Sequence, residues 1–392
     1  MVGTASGADG YLLVVRISPT LTEMATYPFV RLEEARRRLE SNGVPVIDFG
    51  KGDPNEPTDA RIREALVASL GERSSYPLAQ GLPELRAAAA AAWCERRFGV
   101  SLDPDREVIP TLGSKEAIFS LAHVLVDPRS EKRLVLYTEP GYPVYERGAL
   151  FAGAEALALP LRAEHDFLPD LDAVDDETWR RTAILWVNYP NNPTGATAPL
   201  ELYERLAELA ARFDFALASD EAYSELWFDE PPVSALQVRD RRNVVVFQTL
   251  SKRSSMTGYR SGFVAAAPEV IDALKAFRPS VGTAPQEFVQ RASIVAWEDE
   301  EHVARARATY RRKRELLAAA LERRGYRIAA SRAGMYLWVE ADADVVPRLL
   351  EHGVVVSPGE FFGPSGAGYV RFALVPTEEE CARAAQILEE VL

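Results

Sequence analysis

Six short apolar runs between residues 108 and 248 constrain this chain more than any other feature. They are VIPT (108–111), RLVLY (133–137), ALALPL (156–161), AILWVN (183–188), FALASD (215–220) and NVVVFQ (243–248), and helical segments such as KEAIFSLAHVL (115–125) and residues 200–213 lie between them. Runs with little polar alternation are strands buried on both faces, and strands separated by helices build a mostly parallel sheet with helices on each side. The pattern predicts an α/β fold. Ligands of such sheets bind beyond the carboxyl ends of the strands. The polar residues that follow each run should therefore belong to one site.

The flanking regions read differently. Tyr27-Pro28 opens a helix in which Phe29, Leu32, Ala35 and Leu39 recur at helical spacing, and Asn42-Gly43 stops it. A strand from Val44 to Phe49, helices over 61–70 and 82–97, and the turn-rich GKGDPNEPTD follow. Beyond Arg278-Pro279 comes a long helical region, about 286–324, then the strand-like MYLWVE and YVRFAL and a last helix from Thr377. This predicts an extension over 1–16, a segment over 17–50 packing with the small domain, a large domain over 51–280 and a small α+β domain over 281–392.

Charge and composition exclude several classes of function. The formal net charge of −13 opposes nucleic acid or an anionic membrane as partner, and an anionic substrate would need local cations. No apolar run approaches the ~20 residues of a membrane span. Cys94 and Cys381 stand far apart and the four histidines form no ligand pair, so neither a disulfide framework nor a metal site is expected. A reducing cytoplasm is the expected compartment.

Four strand ends carry chemistry. Leu112-Gly113-Ser114-Lys115 follows VIPT and opens a helix, where free backbone N–H groups favour phosphate. Asn188-Tyr189-Pro190-Asn191-Asn192-Pro193-Thr194-Gly195 is stiff and turn-forming, and Asn192 offers an amide. Asp220-Glu221-Ala222-Tyr223 offers a carboxylate and a phenol. TLSKRSSMTGYRSGF (249–263) places Lys252 among small hydroxyl residues and Arg260 eight positions later. Each has an ordinary reading as a helix cap, a tight loop, a solvated edge or a surface loop. Together they form the inventory for pyridoxal 5′-phosphate: a lysine for the aldehyde, a carboxylate for the pyridinium nitrogen, and arginine with helix-end amides for the phosphate.

With NNPTG (191–195), SDEAY (219–223) and SKRSSMTGYRSGF (251–263) in this order and spacing, the chain resembles the fold-type I, class I/II aminotransferases over nearly its whole length from about Ile17. The resemblance implies a fold of a large sheet domain and a smaller α+β domain. It implies Lys252 as Schiff-base lysine and proton shuttle, Asp220 as partner of the ring nitrogen, and Asn192 and Tyr223 at the ring 3-oxygen. Thr249, Ser251 and Arg260 would hold the phosphate with the Gly113-Ser114-Lys115 turn. Tyr142, in EPGYPVY, would stack on the ring, and Tyr76, in SSYPLAQGLPELR, would reach the phosphate of a partner subunit in a homodimer with shared sites. Arg371, in YVRFAL, and the Gly52 backbone would hold the substrate carboxylate. Lys115 departs from the smaller residue of many relatives.

The reaction so implied moves an amino group from an amino acid to a 2-oxo acid, 2-oxoglutarate being expected. TYPFVRLEEAR, IPTLGSKEAIF, AGMYLWV and VVVSPGEFFGPSG are most similar to the N-succinyl-L,L-diaminopimelate aminotransferases of lysine biosynthesis. Lys51, Arg253 and Arg278 are candidate cations for the added carboxylate. Aspartate or alanine aminotransferases, carbon–sulfur β-lyases and a ligand-sensing regulator are the alternatives; a regulator would carry a basic DNA-binding module, which is not visible.

Overall fold

The computed structural model describes residues 17–22, 29–73, 75–342 and 344–392. The expected extension over 1–16 and the Tyr27-Pro28 helix start lie outside them. Among the described residues thirteen strands occur in chain order: β1 (Ile47–Asp48), β2 (Val108–Thr111), β3 (Leu134–Glu139), β4 (Glu155–Pro160), β5 (Thr182–Asn188), β6 (Ala216–Asp220), β7 (Val244–Thr249), β8 (Gly262–Ala266), β9 (Ile328–Ala330), β10 (Tyr336–Glu340), β11 (Val354–Val355), β12 (Ser357–Pro358) and β13 (Tyr369–Ala373).

Seven of them form one sheet in the order β2-β8-β7-β6-β5-β3-β4. All six apolar runs are strands of this sheet. The seventh, β8, was not foreseen as a strand. It runs antiparallel to both neighbours, with Gly262 opposite Thr249 on one side and Thr111 on the other. The start of β8 thus lies on the same sheet edge as the ends of β2 and β7. Strands β5 and β7 are buried along their full length, which accounts for their unbroken apolar character.

Helices cover the sheet by local rules. In the helix Leu200–Phe213, Tyr203, Leu206, Ala207 and Ala210 recur at 3.6-residue spacing and are all buried, and Asp214 ends it at φ 57°. Residues 83–98 are helical, and Trp93 meets Trp297 with ring centroids 4.7 Å apart.

The second sheet, β12-β13-β10-β9, is antiparallel, and β1 pairs with β11 in parallel. A separate apolar cluster forms on it. Tyr310, Leu317 and Leu321 from the helix Glu301–Arg323 meet Cys381, Ala384 and Leu388 from the last helix, together with Ile47 and Phe49. Each fully buried Leu or Phe contributes ~1.5–3 kcal/mol. The last helix begins where the sequence places it: Thr377 accepts from the Glu380 N–H, and Glu380 accepts in return. The long helical region expected over about 286–324 is made of two helices, Glu287–Glu298 and Glu301–Arg323.

Candidate active site

A cavity of about 410 Å³ opens where β2, β5, β6 and β7 end. Lys51, Lys115, Lys252, Arg260 and Arg371 line it against only Asp53 and Asp220 among the acids, so a strongly acidic chain carries a locally cationic site.

Lys252 sits in the short helix Leu250–Arg253 directly after β7. Its Nζ donates to the Gly52 carbonyl. Burial lowers its pKa to about 8, Asp53 opposes that shift, and Arg371 and Arg260 reinforce it. The chain then turns through Thr257–Tyr259 and re-enters the sheet as β8, with Arg260 at the re-entry. The eight-residue interval is the span of that excursion. Arg260 takes φ 54°, a left-handed conformation costing a non-glycine residue about 1–2 kcal/mol. Its guanidinium donates to the carbonyls of Thr257 at 2.8 Å and Leu112 at 3.1 Å.

Around Arg260 the phosphate-type groups assemble. Ser114 and Lys115 line the cavity from the start of the helix Gly113–Leu125. Gly113 stands behind them at φ 70°, a conformation that favours glycine, and a Cβ there would lie 2.7 Å from Arg260 Nη2 and displace the guanidinium. The Thr249 hydroxyl lies 3.0 Å from Ser251 Oγ, and both residues line the cavity. Lys115 Nζ stands 5.9 Å from the Tyr142 ring centroid, and Tyr142 forms a neighbouring wall.

Asp220 ends β6 and is 5% exposed. Burial raises its pKa to about 6, opposed by the Tyr145 hydroxyl, which donates to Oδ2 at 2.8 Å, and by the Ala222 N–H. A carboxylate so placed is stabilised by a cationic N–H donor. Glu221 turns away from the cavity into contact with Gln248, Ser219 and the Ala235 N–H.

The far end is assembled from distant segments. Arg371 on β13 is 2% exposed, with its guanidinium 4.6 Å from the Tyr336 ring centroid and 4.5 Å from that of Phe362. It donates to Asn192 Oδ1 at 2.9 Å and to the Gly50 carbonyl at 2.6 Å. Tyr223 and Tyr336 share a hydrogen bond of 2.7 Å between hydroxyls. Gly52 presses on the same ring: a Cβ there would lie 2.6 Å from the Tyr336 hydroxyl.

The structure thus brings Gly52, Ser114, Lys115, Tyr142, Asn192, Asp220, Tyr223, Thr249, Ser251, Lys252, Arg260 and Arg371 to one cavity. Tyr76 does not join them; its side chain is fully exposed. Two cations considered for the distal carboxylate are structural instead. Arg253, 2% exposed, is bound to the Ala296 carbonyl and to Glu300. Arg278, wholly buried, donates to the carbonyls of Ala79 and Pro110 and pairs with Glu116. Lys51 does line the cavity and pairs with Glu33.

Sequence reasoning missed Asn188, Tyr145, Tyr336 and Phe362. Asn188 ends β5, donates to the Asp220 carbonyl at 2.7 Å and accepts from the Asn192 N–H at 2.8 Å, so it fixes two site residues together. Its position at a strand end was the available signal. Tyr145, one helical turn beyond Tyr142, carried a weaker one, and Tyr336 and Phe362 carried none.

The residues fit pyridoxal phosphate: hydroxyls and cations suited to a phosphate, a buried carboxylate suited to a ring nitrogen and a lysine suited to an aldehyde line one cavity. Among the described residues no cluster could hold a metal ion, and no helix is long and apolar enough to cross a membrane.

The family model "Aminotransferase class I and II" matches residues 44–388. The LL-diaminopimelate aminotransferase of Aquifex aeolicus is 40% identical over 382 residues, 94% of this chain and 98% of that protein. An aminotransferase structure from Neisseria meningitidis superposes with a TM-score of 0.88 at 35% identity, covering 95% of this chain and 99% of that one. A probable N-succinyldiaminopimelate aminotransferase from Thermus thermophilus superposes with a TM-score of 0.85 at 33% identity, covering 93% and 100%. The chain belongs to the class I and II aminotransferases, enzymes of fold type I that depend on pyridoxal phosphate.

Proposed function

We propose that this aminotransferase takes its amino group from a diaminopimelate-type donor and passes it to a 2-oxo acid, 2-oxoglutarate being the expected acceptor. The observation that carries the reading is the meeting of Lys252, Asp220 and Arg260 with Arg371 across one cavity. The free LL donor is supported by the 40% identical relative from Aquifex aeolicus, an LL-diaminopimelate aminotransferase. The N-succinyl donor is the second reading, favoured by the name of the Thermus neighbour and by Lys51 on the cavity wall.

When bound, the cofactor supplies an electron sink that makes the α-proton of the amino acid removable. The protein residues do the rest. Arg371, held between two rings, grips the α-carboxylate in bidentate fashion, and Asn192 keeps the guanidinium aimed. Lys252 Nζ takes the α-proton, and its lowered pKa leaves much of it in the base form near pH 8. Asp220 would keep a proton on the ring nitrogen. Asn192 and Tyr223 would hold the ring oxygen, and Ser114, Lys115, Thr249, Ser251 and Arg260 would hold the phosphate.

The same proposal includes a cytoplasmic homodimer in which Tyr76, fully exposed beside the exposed Leu78, reaches the partner's phosphate site. It also includes the division into a large domain over 51–280 and a small one over 281–392, with Ala292, Ala296 and Trp297 of the latter packing into the large-sheet core.

The test is a half-reaction. The yellow protein is mixed separately with LL-diaminopimelate, its N-succinyl derivative, aspartate and alanine, and bleaching of the visible band is followed. Fast bleaching by the free LL form alone supports the first reading, and by the succinylated form alone the second. Bleaching by aspartate or alanine alone sinks both donor assignments.

A further inference from the structure

Behind the lysine turn, on the side away from the cavity, lies a second set of polar groups. Ser254 follows Lys252 by two residues, and its N–H donates to the Leu250 carbonyl at 3.0 Å, closing the short helix. Its hydroxyl lies 2.8 Å from His302 Nε2, and His302 Nδ1 lies 2.5 Å from Asp299 Oδ2. Asp299 also accepts from the His302 backbone N–H at 3.1 Å and from Arg61 at 2.9 Å. It sits at the break between the helices Glu287–Glu298 and Glu301–Arg323.

Hydroxyl, imidazole and carboxylate in this order resemble a hydrolytic triad. Ser254 is only 3% exposed and does not line the cavity, so no carbonyl can approach its oxygen. A second catalytic centre is excluded, and the constellation must act by orientation.

The hydrogen-bond directions follow from the chemistry. The Asp299 carboxylate can only accept, so Nδ1 carries the ring proton. Nε2 is then a bare acceptor, and the Ser254 hydroxyl must donate to it. The neighbouring Arg253 Nη1 donates to Ser254 Oγ at 3.5 Å. Arg253 is itself bound to the Ala296 carbonyl and Glu300, and the Ser255 carbonyl accepts from the Thr58 hydroxyl at 2.7 Å. All three residues after Lys252 are therefore fastened from behind.

We propose that His302, seated on Asp299, is a positioning residue that acts through the Ser254 hydroxyl to set the turn aiming Lys252 into the cavity. The inference rests on the reading of Lys252 as the cofactor-bearing lysine. Its working form is the neutral ring. Protonation would make Nε2 a donor, reverse the Ser254 bond and add a charge beside Arg253. The charged groups around the ring are Asp299 and Glu300 at the helix break, Arg253 on the lysine turn, Asp59 and Arg61 at the helix 60–68, and Arg305 on its own helix. Burial holds the ring below its ordinary value, Asp299 opposing and Arg253 reinforcing. Its contribution to stability is thus complete above pH ~6.5 and lost as pH falls through the lowered value.

The experiment uses the holoenzyme with Ser254→Ala, His302→Leu, both together, and His302→Gln, whose amide oxygen can still accept from Ser254. The readouts are kcat, KM and the pH midpoint of the visible band of the bound cofactor. Each single change is expected to move the midpoint by roughly half a unit and lower kcat about tenfold, with KM within about threefold, as a small misplacement of a reacting group does. The double variant should be no worse than either single one, and His302→Gln should recover most of the loss. Unmoved midpoints, or losses that add, overturn the inference. A second measurement needs no variant to fold: in the wild-type holoenzyme labelled with ¹⁵N-histidine, a buried ring protonated at Nδ1 and bare at Nε2 is expected, and a proton on Nε2 overturns it. If borohydride traps no cofactor on Lys252 of the wild type, the functional reading falls and this inference with it. Trapped cofactor with an indifferent titration overturns the inference alone.

Discussion

At one end of the cavity Ser114, Lys115, Thr249, Ser251 and Arg260 come from two loops on a single sheet edge. At the other end Gly52, Asn192, Tyr336 and Arg371 come from four segments, and the hydrogen bonds of Arg371 reach back 179 residues to Asn192 and 321 to Gly50. The first end uses exposed backbone and small hydroxyls, with an arginine held in a left-handed turn. The second uses an arginine clamped between aromatic rings. On the proposed reading the difference is a division of labour: the local end would cradle a resident group, and the long-range end would clamp what enters and leaves.

The largest effect should come from the residue between them. Lys252→Ala should lower kcat about 10⁴-fold, the upper range for removing an acid–base group; a variant with more than a tenth of wild-type turnover would remove Lys252 from the chemistry. Next, Arg371→Gln should lower kcat/KM for the donor by ~3–4 kcal/mol, the cost of stripping one partner from a buried charge pair, while cofactor content stays unchanged. Loss of the visible band in that variant would break the division. In the opposite sense, Arg260→Gln should weaken cofactor retention, measured by dialysis and absorbance, by ~1.5–3 kcal/mol and leave donor KM within about threefold. If the donor KM moved as far as in Arg371→Gln, the two ends would not be separable.

The smallest effect concerns stability of the cofactor-free protein. Folding lowers the pKa of Lys252 from 10.5 to about 8, so the folded state binds fewer protons between those values. Stability from this group is complete only above pH 10.5 and is lost as pH falls to about 8. Lys252→Met should therefore be more stable than wild type near pH 7, by a gap that shrinks towards the alkaline limit. Denaturant unfolding at both pH values checks this, and an equal gap at both would show that burial does not perturb the lysine.

The parts of the site legible in the sequence were those coded by a strand followed at once by a loop. Lys252 and Asp220 were readable because β7 and β6 are unbroken apolar runs that end abruptly in polar residues. Arg260 was readable as a residue, but the reason for its distance from Lys252 was not. That reason is β8, whose GFVAA is too short to separate from a loop until its hydrogen bonds to β2 and β7 are seen. Arg253 and Arg278 mark the opposite failure. Both stand in plausible loops, yet their guanidinium groups are consumed by carbonyls and carboxylates contributed from far along the chain.

The sequence by itself determined the α/β class, the polar groups presented at each strand end and, through the order of its motifs, the aminotransferase family. Those features depend on residues within a few positions of one another, where backbone periodicity and turn chemistry act. Only the tertiary structure decided that Tyr336 and Phe362 enclose Arg371, that Asn188 ties Asp220 to Asn192, and that His302 stands behind the lysine turn. Those contacts join segments far apart in the chain, and their geometry is set by how two sheets and their helices pack rather than by any local pattern.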